Sequence, residues 1–219
     1  KEKGEVVRGR DSLEVLVRDY LRGRGEAGMS FVPGPVHRLD RNTTGLIVFA
    51  ASLKGAQEMS SALRERRIIK RYVAVVSGRV PGPQRWTNSL VRNRGLRRTR
   101  TDQAEHARSA ETYATPLAAT DVASVSLVRL ITGRTHQIRA HAEANGYPLV
   151  GDRKYGGPSM RGGYILHAGS LALHEANQVL GFTHIWAPLP QSSEQRLAGL
   201  FGDGVVARVR QCLADMACD

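Results

Sequence analysis

Short apolar segments of two different periodicities constrain the fold of this chain more than any other feature. One segment, after the potential helix-capping residue Ser12, repeats its apolar side chains at helical spacing: Leu13, Leu16, Val17, Tyr20 and Leu21. Others are short and rich in aliphatic or β-branched residues, which predicts strands at 46–51, 72–76 and 122–131. These segments do not follow a regular β-α-β order. The pattern therefore predicts an α+β fold, with one main domain built on a mostly antiparallel sheet.

Several local predictions are specific enough to compare with a structure. Residues 46–51 are predicted to form one buried strand, followed by a helix that Ser52 caps. In the strand at 122–131, Val125, Leu127 and Ile131 are expected to alternate with polar or solvent-facing positions. Thr135 is predicted to cap a helix that ends near residue 145.

The charge balance indicates a polyanionic partner. The chain has 219 residues, with 32 Lys and Arg against 20 Asp and Glu, which gives a net charge of +12. Such an excess favours nucleic acid, by charge neutralisation and counterion release, over an anionic membrane surface. The longest aliphatic run is too short to cross a bilayer. With only two cysteines, Cys212 and Cys218, the simplest expectation is the reducing cytoplasm.

Residues 79–109 form the least patterned and most basic stretch, and they are predicted to be an insertion or a mobile arm. Seven arginines lie between Arg85 and Arg108. A charged stretch of this kind is often only a solvated face. Because Trp86 lies within it and the whole chain is basic, we expect it to contact RNA or DNA, with Arg97 and Arg98 as candidate contacts.

The polar segment HRLDRNTTG at 37–45 is a candidate catalytic site. Asp40 has cationic neighbours at Arg38 and Arg41, which stabilise an ionised carboxylate. An ionised carboxylate suits a nucleophile or a base better than an acid. The alternative is a solvated turn stabilised by Asp and Thr side chains.

A second polar segment, TGRTHQIRAH at 132–141, supplies a possible partner. Arg139 could pair with Asp40 if the two segments meet, or with Glu143 one helical turn away. His136 and His141 are five residues apart, which places them about 140° apart on a helix and argues against a metal site.

An aromatic residue next to cations is the third candidate. Tyr72 follows Lys70 and Arg71 at the start of a predicted strand. It could stack on a nucleic-acid base, or it could be a half-buried strand residue with no chemistry.

Together these segments resemble the three signature segments of the RluA-type pseudouridine synthases. The matching stretches are HRLDRNTTG, KRYVAVVSG at 70–78 and TGRTHQIRAH, and residues 146–157, 165–175 and 186–190 resemble later parts of the family. The chain is thereby identified as a catalytic domain over residues 1–219, with the basic insertion or arm at about 79–109. Many members carry a small N-terminal RNA-binding module, which is expected to be absent from this chain.

The resemblance implies a fold, a reaction and roles for five residues. The fold would be a bent, mixed sheet with flanking helices and a central basic cleft. The reaction would convert uridine to pseudouridine in RNA. Asp40 matches the catalytic aspartate, Tyr72 the tyrosine that stacks on uracil, and Arg139 the arginine that pairs with the catalytic carboxylate. Arg38 matches the residue that fills the stack when the nucleotide flips out, and Ile138 an apolar wall of the pocket.

Further substrate or RNA contacts are expected near these residues and in the basic stretch, namely at His37, Thr43, Lys70, Arg134, His136, Arg97 and Arg98. The pattern is closest to members that modify large-subunit ribosomal RNA, with transfer RNA as the alternative substrate. No cofactor or metal is expected, because the reaction needs no redox step or group transfer, and the protein is expected to be a monomer. Two other functions stay open: a non-catalytic RNA-binding module, and a metal-dependent phosphate hydrolase that uses Asp40 and His37.

Overall fold

The computed structural model describes residues 12–24, 31–93, 95–102 and 104–215. The helices are α1 (Leu13–Gly23), α2 (Leu53–Arg64), α3 (Gln137–Ala144), α4 (Gln191–Phe201) and α5 (Asp203–Ala214). The strands are β1 (Gly34–Pro35), β2 (Thr44–Gly45), β3 (Phe49–Ala50), β4 (Ile68–Ser77), β5 (Gln84–Trp86), β6 (Ser89–Asn93), β7 (Arg98–Thr101), β8 (Arg108–Ser109), β9 (Thr112–Ala119), β10 (Ala123–Leu130), β11 (Leu166–Leu173) and β12 (His184–Trp186). Within these described ranges, none of the helices is both long and apolar enough to cross a bilayer.

A mixed sheet organises the molecule. Seven strands of the described residues form it, in the order β12-β11-β4-β10-β9-β5, with β2 paired in parallel to β11. The other neighbours in this sheet pair antiparallel. The predicted α+β fold on a mixed, mostly antiparallel sheet is therefore confirmed.

Helices cover both faces of this sheet. The side chains of β4 alternate between these two faces, and both faces are apolar. Val73 and Val75 point to the face packed by α4 and α5. Ala74 and Val76 point to the opposite face, which α3 packs. Because neighbouring residues of a strand point to opposite faces, a strand buried on both sides needs a continuous apolar run, which this segment has.

In the strand predicted at 122–131, the residues on either side of Val125 are polar, as expected, but they do not face solvent. Ser124 and Ser126 of β10 are buried, at 0% and 1% exposure. The hydroxyl of Ser124 donates to the carbonyl of Gly78 at 2.8 Å and accepts from the amide of Val80 at 2.9 Å. A small hydroxyl with partners, such as that of Ser124, can be buried at little penalty, so serine at alternate positions does not mark a solvent-facing side. The buried hydroxyl of Ser126 has no such partner among the described residues.

Two element boundaries also differ from the sequence pattern. Residues 46–51 are not one buried strand, because β2 ends at Gly45 and β3 begins at Phe49. Between them the chain leaves the edge of β11, where the amide of Leu46 donates to the carbonyl of Ala168 at 2.8 Å. Helix α3 starts at Gln137 rather than after Thr135, and its N-cap His136 has a left-handed backbone with no side-chain capping bond. Ser12 and Ser52 cap α1 and α2 as predicted.

The basic stretch at 79–109 contains regular structure. β5 joins the main sheet, and β6, β7 and β8 form a separate three-stranded sheet. Leu90 of β6 packs in a buried cluster with Ala110, Ala140 of α3 and Tyr155. Burial of these few apolar residues fixes the small sheet against α3, although the intervening arginines hide this pattern in the sequence.

A close backbone approach attaches the loop between β1 and β3 to the main sheet. Gly45 has a φ of 102°, and a Cβ atom there would overlap the backbone carbonyl of Ala168. Only glycine combines this backbone conformation with this contact. The attachment sets the position of residues 37–44, which precede it.

We expect Gly45→Ala to lower the free energy of unfolding by about 2–4 kcal/mol, since the side chain would meet backbone atoms that cannot move away. Urea unfolding followed by circular dichroism measures the change. Gly82→Ala is the matched control, because a Cβ at Gly82 meets no atom within 4 Å. Equal stability of the two variants would contradict this account of the loop attachment.

Candidate active site

The loop that carries Asp40 is fixed at both ends and at its turn. Its base is the β1–β3 hairpin, in which Gly34 pairs with Ala50. At the turn, the amide of Thr43 donates to the carbonyl of Asp40 at 2.9 Å. Asp40 is thereby presented toward the centre of the sheet from a short, restrained turn.

Two neutral histidines also position this loop. The Nε2 atom of His37 accepts from the amide of Val48 at 3.0 Å, and burial lowers the pKa of His37. On β11, His167 donates from Nε2 to the carbonyl of Ala187 at 3.1 Å, so its Nδ1 accepts the hydroxyl proton of Thr44 at 2.9 Å. His37 therefore acts on the loop backbone, which does not favour its use with Asp40 in a hydrolase.

A buried arginine joins Asp40 to a second carboxylate. Arg139 of α3 donates from Nε and Nη2 to Asp152, at 2.6 and 2.9 Å, and from Nη1 to Asp40, at 3.3 Å. The side chains of Arg139 and Asp152 are only 8% and 2% exposed. The segments at 37–45 and 132–141 therefore meet, and the alternative partner Glu143 instead accepts from Arg98 at 2.7 Å.

Aromatic rings complete the environment of Arg139. Its guanidinium lies 4.7 Å from the ring centre of Tyr155 and 4.9 Å from that of Tyr164. Burial disfavours the charged form of Arg139, but the hydrogen bonds to Asp152 and the nearby negative charges outweigh burial and raise its pKa. Arg139 therefore stays cationic and keeps Asp40 paired in a partly dry site.

His136 lies on the other side of Asp40. Its Nε2 atom is 3.8 Å from Oδ1 of Asp40, and its Nδ1 is 2.8 Å from the hydroxyl of Tyr155. That hydroxyl also accepts from the amide of Thr99 in β7, at 2.9 Å. Burial lowers the pKa of His136, although Asp40 opposes this shift. The small sheet is thus linked to Asp40 through Tyr155 and His136.

Asp40 opens into a small cavity that Tyr72 borders. The cavity has a volume of about 110 Å³, and Ile138, Leu130 and Leu166 form apolar parts of its wall. Burial, with a contribution from Asp40, raises the pKa of Tyr72 to about 12. Tyr72 is thus a neutral phenol at neutral pH, next to a carboxylate. The cavity offers a flat ring, apolar walls and one carboxylate to a small planar group.

A larger cavity adjoins this one and shares Arg38, Tyr72 and Arg134 with it. Its volume is about 470 Å³, and Lys70 and His37 also line it. Burial lowers the pKa of Lys70 to about 8, and the nearby charges of Arg66 and Arg134 add to this shift. Together the two cavities form a basic cleft of the kind that the family resemblance implies.

Gln137 shapes the edge that the two cavities share. Its side-chain oxygen accepts from the hydroxyl of Thr132 at 2.7 Å and from the amide of Arg134 at 2.9 Å. Its side-chain nitrogen donates to the carbonyl of Glu111 and the hydroxyl of Thr112, both at 2.9 Å. A buried amide with all these partners holds the 132–134 turn rigidly, and this turn places the side chain of Arg134.

The predicted site residues fall into two groups. The structure brings most of them to the two cavities: His37, Arg38, Asp40, Thr43, Lys70, Tyr72, Arg134, His136, Ile138 and Arg139. Arg97 and Arg98 line neither cavity. The guanidinium of Arg98 pairs with Glu143 and lies 5.0 Å from the ring centre of Tyr155, and RNA contact by Arg97 and Arg98 stays a prediction. The observed contacts of Arg98 hold β7 to α3.

Sequence reasoning missed Asp152, Tyr155, Tyr164 and Gln137. Asp152 gave one weak signal, a lone acidic residue after the apolar, glycine-containing run at 147–151. Nothing in the sequence spacing shows that it meets Arg139. Among the described residues, no group of three or more His, Cys, Asp or Glu side chains is arranged to hold a metal ion.

We expect Asp152→Asn to lower the free energy of unfolding by about 3 kcal/mol, because it leaves the buried charge of Arg139 without its main partner. Urea unfolding at neutral pH measures this. The control is Glu194→Gln, which breaks an equally short two-bond pair with Arg210 at the surface, where Arg210 is 56% exposed. That variant should unfold almost like the wild type. Similar losses in both variants would contradict the role given to Asp152.

The sequence of the chain is similar to those of known proteins. The family model described as RNA pseudouridylate synthase matches residues 1–144. A ribosomal large subunit pseudouridine synthase D from Blochmanniella floridana is 32% identical over 181 residues, which cover 75% of this chain and 56% of the relative. An uncharacterized RNA pseudouridine synthase from Chloroflexus aurantiacus is 38% identical over 167 residues, covering 72% of this chain and 50% of the relative. The chain thus spans about half the length of these curated relatives.

A solved structure shows the same fold. The human RNA pseudouridylate synthase domain containing 1 superimposes with a TM-score of 0.67 and 24% identity, over 91% of this chain and 85% of the human one. This likeness concerns the fold, whereas the family model covers all three signature segments and reaches past the end of TGRTHQIRAH. On this match, the chain belongs to the RNA pseudouridylate synthase family.

Proposed function

We propose that this chain isomerises uridine to pseudouridine in RNA, with large-subunit ribosomal RNA as substrate. The observation that carries the proposal is the carboxylate of Asp40, paired with buried Arg139 and opening into a small cavity beside Tyr72. A cavity of about 110 Å³ suits one planar base with its edge toward the carboxylate. A bare RNA-binding surface would not need this enclosed ion pair.

The reaction needs no external reagent. The bond from the sugar carbon to N1 of uracil breaks, the base turns, and a new bond forms from the same sugar carbon to C5. The proton on C5 leaves and N1 gains one, so atoms and electrons balance. Asp40 can act on the sugar as a nucleophile or on a proton as a base. Arg139 donates a hydrogen bond to this carboxylate and orients it in either route.

The target base must leave its stack to reach Asp40, so we include base flipping in the proposal. Tyr72 stacks on the flipped uracil, Ile138 forms an apolar wall, and exposed Arg38 fills the vacated position in the RNA. His136 and Thr43 border the same cavity and contact the nucleotide. The net charge of +12 supports binding to the phosphate backbone.

The choice of ribosomal RNA draws support from the relatives, several of which are named as ribosomal large subunit pseudouridine synthases. The matched residues cover only about half of these relatives or less, and the rest of a relative can contribute to its choice of RNA. Ribosomal RNA as the target of this chain is therefore a proposal. Action in the cytoplasm as a monomer also stays a prediction.

We expect Asp40→Asn to reduce turnover at least about 10³-fold while RNA affinity and the fold persist, because the change removes the reacting charge and little volume. Tritium release from large-subunit ribosomal RNA labelled at carbon 5 of uridine measures turnover, and fluorescence anisotropy measures affinity.

Asp121→Asn is the matched control, since Asp121 is 95% exposed on the surface. An active Asp40→Asn protein would refute the carboxylate mechanism. RNA binding without tritium release from ribosomal or transfer RNA, by the wild type as well, would favour a non-catalytic binding module.

We expect RNA affinity to fall by about threefold as the pH rises from about 7 to about 9, because Lys70 loses its charge near pH 8 in the folded protein. Above about pH 8, Lys70 is still protonated in the unfolded chain, where its pKa is near the ordinary value of 10.5, but has lost its proton in the folded chain. Lys70 therefore makes the fold more stable as the pH rises. Anisotropy titrations of Lys70→Met should lose this pH dependence, whereas Lys54→Met, which removes an exposed lysine of α2, should keep it. An unchanged dependence in Lys70→Met would rule out Lys70 as its source.

A further inference from the structure

The larger cavity has a composition that the reaction at Asp40 does not explain. Of the residues that the structure describes, five cationic side chains and no acidic one line it: Arg38, Arg64, Arg66, Lys70 and Arg134. Its floor is apolar and includes Leu46, Leu63 and Leu171. A volume of about 470 Å³ is several times that of the cavity at Asp40 and is in the usual range for ligand sites.

Among the described residues, the cations of this cavity have carboxylates only at longer range: Glu65 interacts electrostatically with Arg64, and Glu111 with Arg66. Within the described part of the chain, no carboxylate forms an ion pair with any of the five. The nearest acidic residues of α2 and its end, Glu58 and Glu65, pair instead with Arg67, at 3.3 and 2.8 Å. Like charges gathered in one cavity repel each other, and the lowered pKa of Lys70 reflects this repulsion together with burial. An anion in the cavity would relieve that repulsion.

The backbone at Arg66 is a second, independent observation. Helix α2 ends in a turn in which the amide of Arg67 donates to the carbonyl of Ala62 at 2.9 Å. The residue inside this turn, Arg66, has a φ of 60°, a conformation in which glycine is the usual residue. An arginine there is disfavoured in the fold, yet its side chain lines the cavity. Strained residues of this kind cluster at binding sites.

We propose that this cavity is a second nucleotide subsite, which holds the nucleotide next to the target uridine in the bound RNA. The apolar floor takes the base, and the cations other than Arg38, which are Arg64, Arg66, Lys70 and Arg134, take its phosphates. Tyr72 borders both cavities. An RNA strand that passes its ring can therefore place one nucleotide in the small cavity and the adjacent nucleotide in the larger one. The proposal rests on the proposed function, since it names the neighbour of the uridine that Asp40 would modify.

The first experiment removes one base at a time from the RNA. Three fluorescein-labelled single-stranded 12-mers are compared by anisotropy: one with a single uridine among adenosines, and two in which the nucleotide 5′ or 3′ of that uridine is abasic. We expect one of the abasic RNAs to bind about fivefold more weakly than the intact RNA, because its phosphates remain but the floor is left without a base. Equal affinity for all three RNAs would overturn the subsite.

The second experiment uses Arg66→Gly. Glycine adopts the left-handed backbone of residue 66 without strain, so this variant is expected to fold. Relief of the left-handed conformation should raise the melting temperature by about 2 °C. RNA affinity should fall about threefold, and the slope of log affinity against log salt concentration should decrease by about 1. Arg79→Gln is the control: it removes a surface charge paired with Asp121, outside the cavity, and should leave affinity within about twofold. A stabilised Arg66→Gly protein with wild-type affinity and salt slope would overturn the subsite.

Leu63→Trp tests the floor directly, because the larger indole would occupy the part of the cavity over Leu63 where the base is placed. We expect this variant to bind the intact and abasic RNAs equally, and retained discrimination would overturn the assignment of the base to this floor. Tritium release by the wild type separates the two proposals. Release without base discrimination keeps the isomerase and overturns the subsite, whereas discrimination without release keeps a nucleotide site and overturns the isomerase.

Discussion

The site depends on one buried positive charge, the guanidinium of Arg139. A charge in this position needs paired oxygens, because desolvation without them would cost several kcal/mol. Asp152 supplies two of the oxygens and Asp40 a third, while the rings of Tyr155 and Tyr164 lie at close range. Three distant chain segments therefore have to converge for this charge to be buried. The same convergence that satisfies the arginine also fixes the carboxylate that the proposed reaction uses.

Sequence reasoning captured the parts of the site that lie in dense polar motifs. Asp40, Tyr72 and Arg139 stand in three such segments, and the structure brings all three residues to one cavity. Asp152 was missed because its pairing with Arg139, 13 residues earlier in the chain, has no signal in the residue spacing. The central strands β4 and β10 were predictable from their apolar runs, whereas the edge strands β5 and β12 and the short β2 were not. The burial of Ser124 was not predictable either, because the benefit of its two hydrogen bonds cannot be read from periodicity. Residues in dense motifs were found from the sequence, whereas residues whose role depends on a partner in the folded structure were not.

The arginines of this chain differ in how they are compensated. Arg67 and Arg98 have glutamate partners and hold elements of the protein together. Arg66 and Arg134 have no such partners among the described residues and border the larger cavity. The net charge alone therefore does not locate an RNA-binding surface. The cations that pair with carboxylates of the protein have to be distinguished from those that do not. The basic stretch that dominates the sequence contributes at least one arginine, Arg98, to internal packing.

The parallel pairing of β2 with β11 has a consequence for the order in which the protein is assembled during synthesis. Thr44 pairs with His167, a partner more than a hundred positions later in the chain. Contacts with such separations form late, since their loop-closure entropy must first be overcome. A ribosome-bound chain that has not yet released β11 cannot dock the loop of Asp40. The nascent protein thus stays without a finished carboxylate site until most of its sequence has emerged.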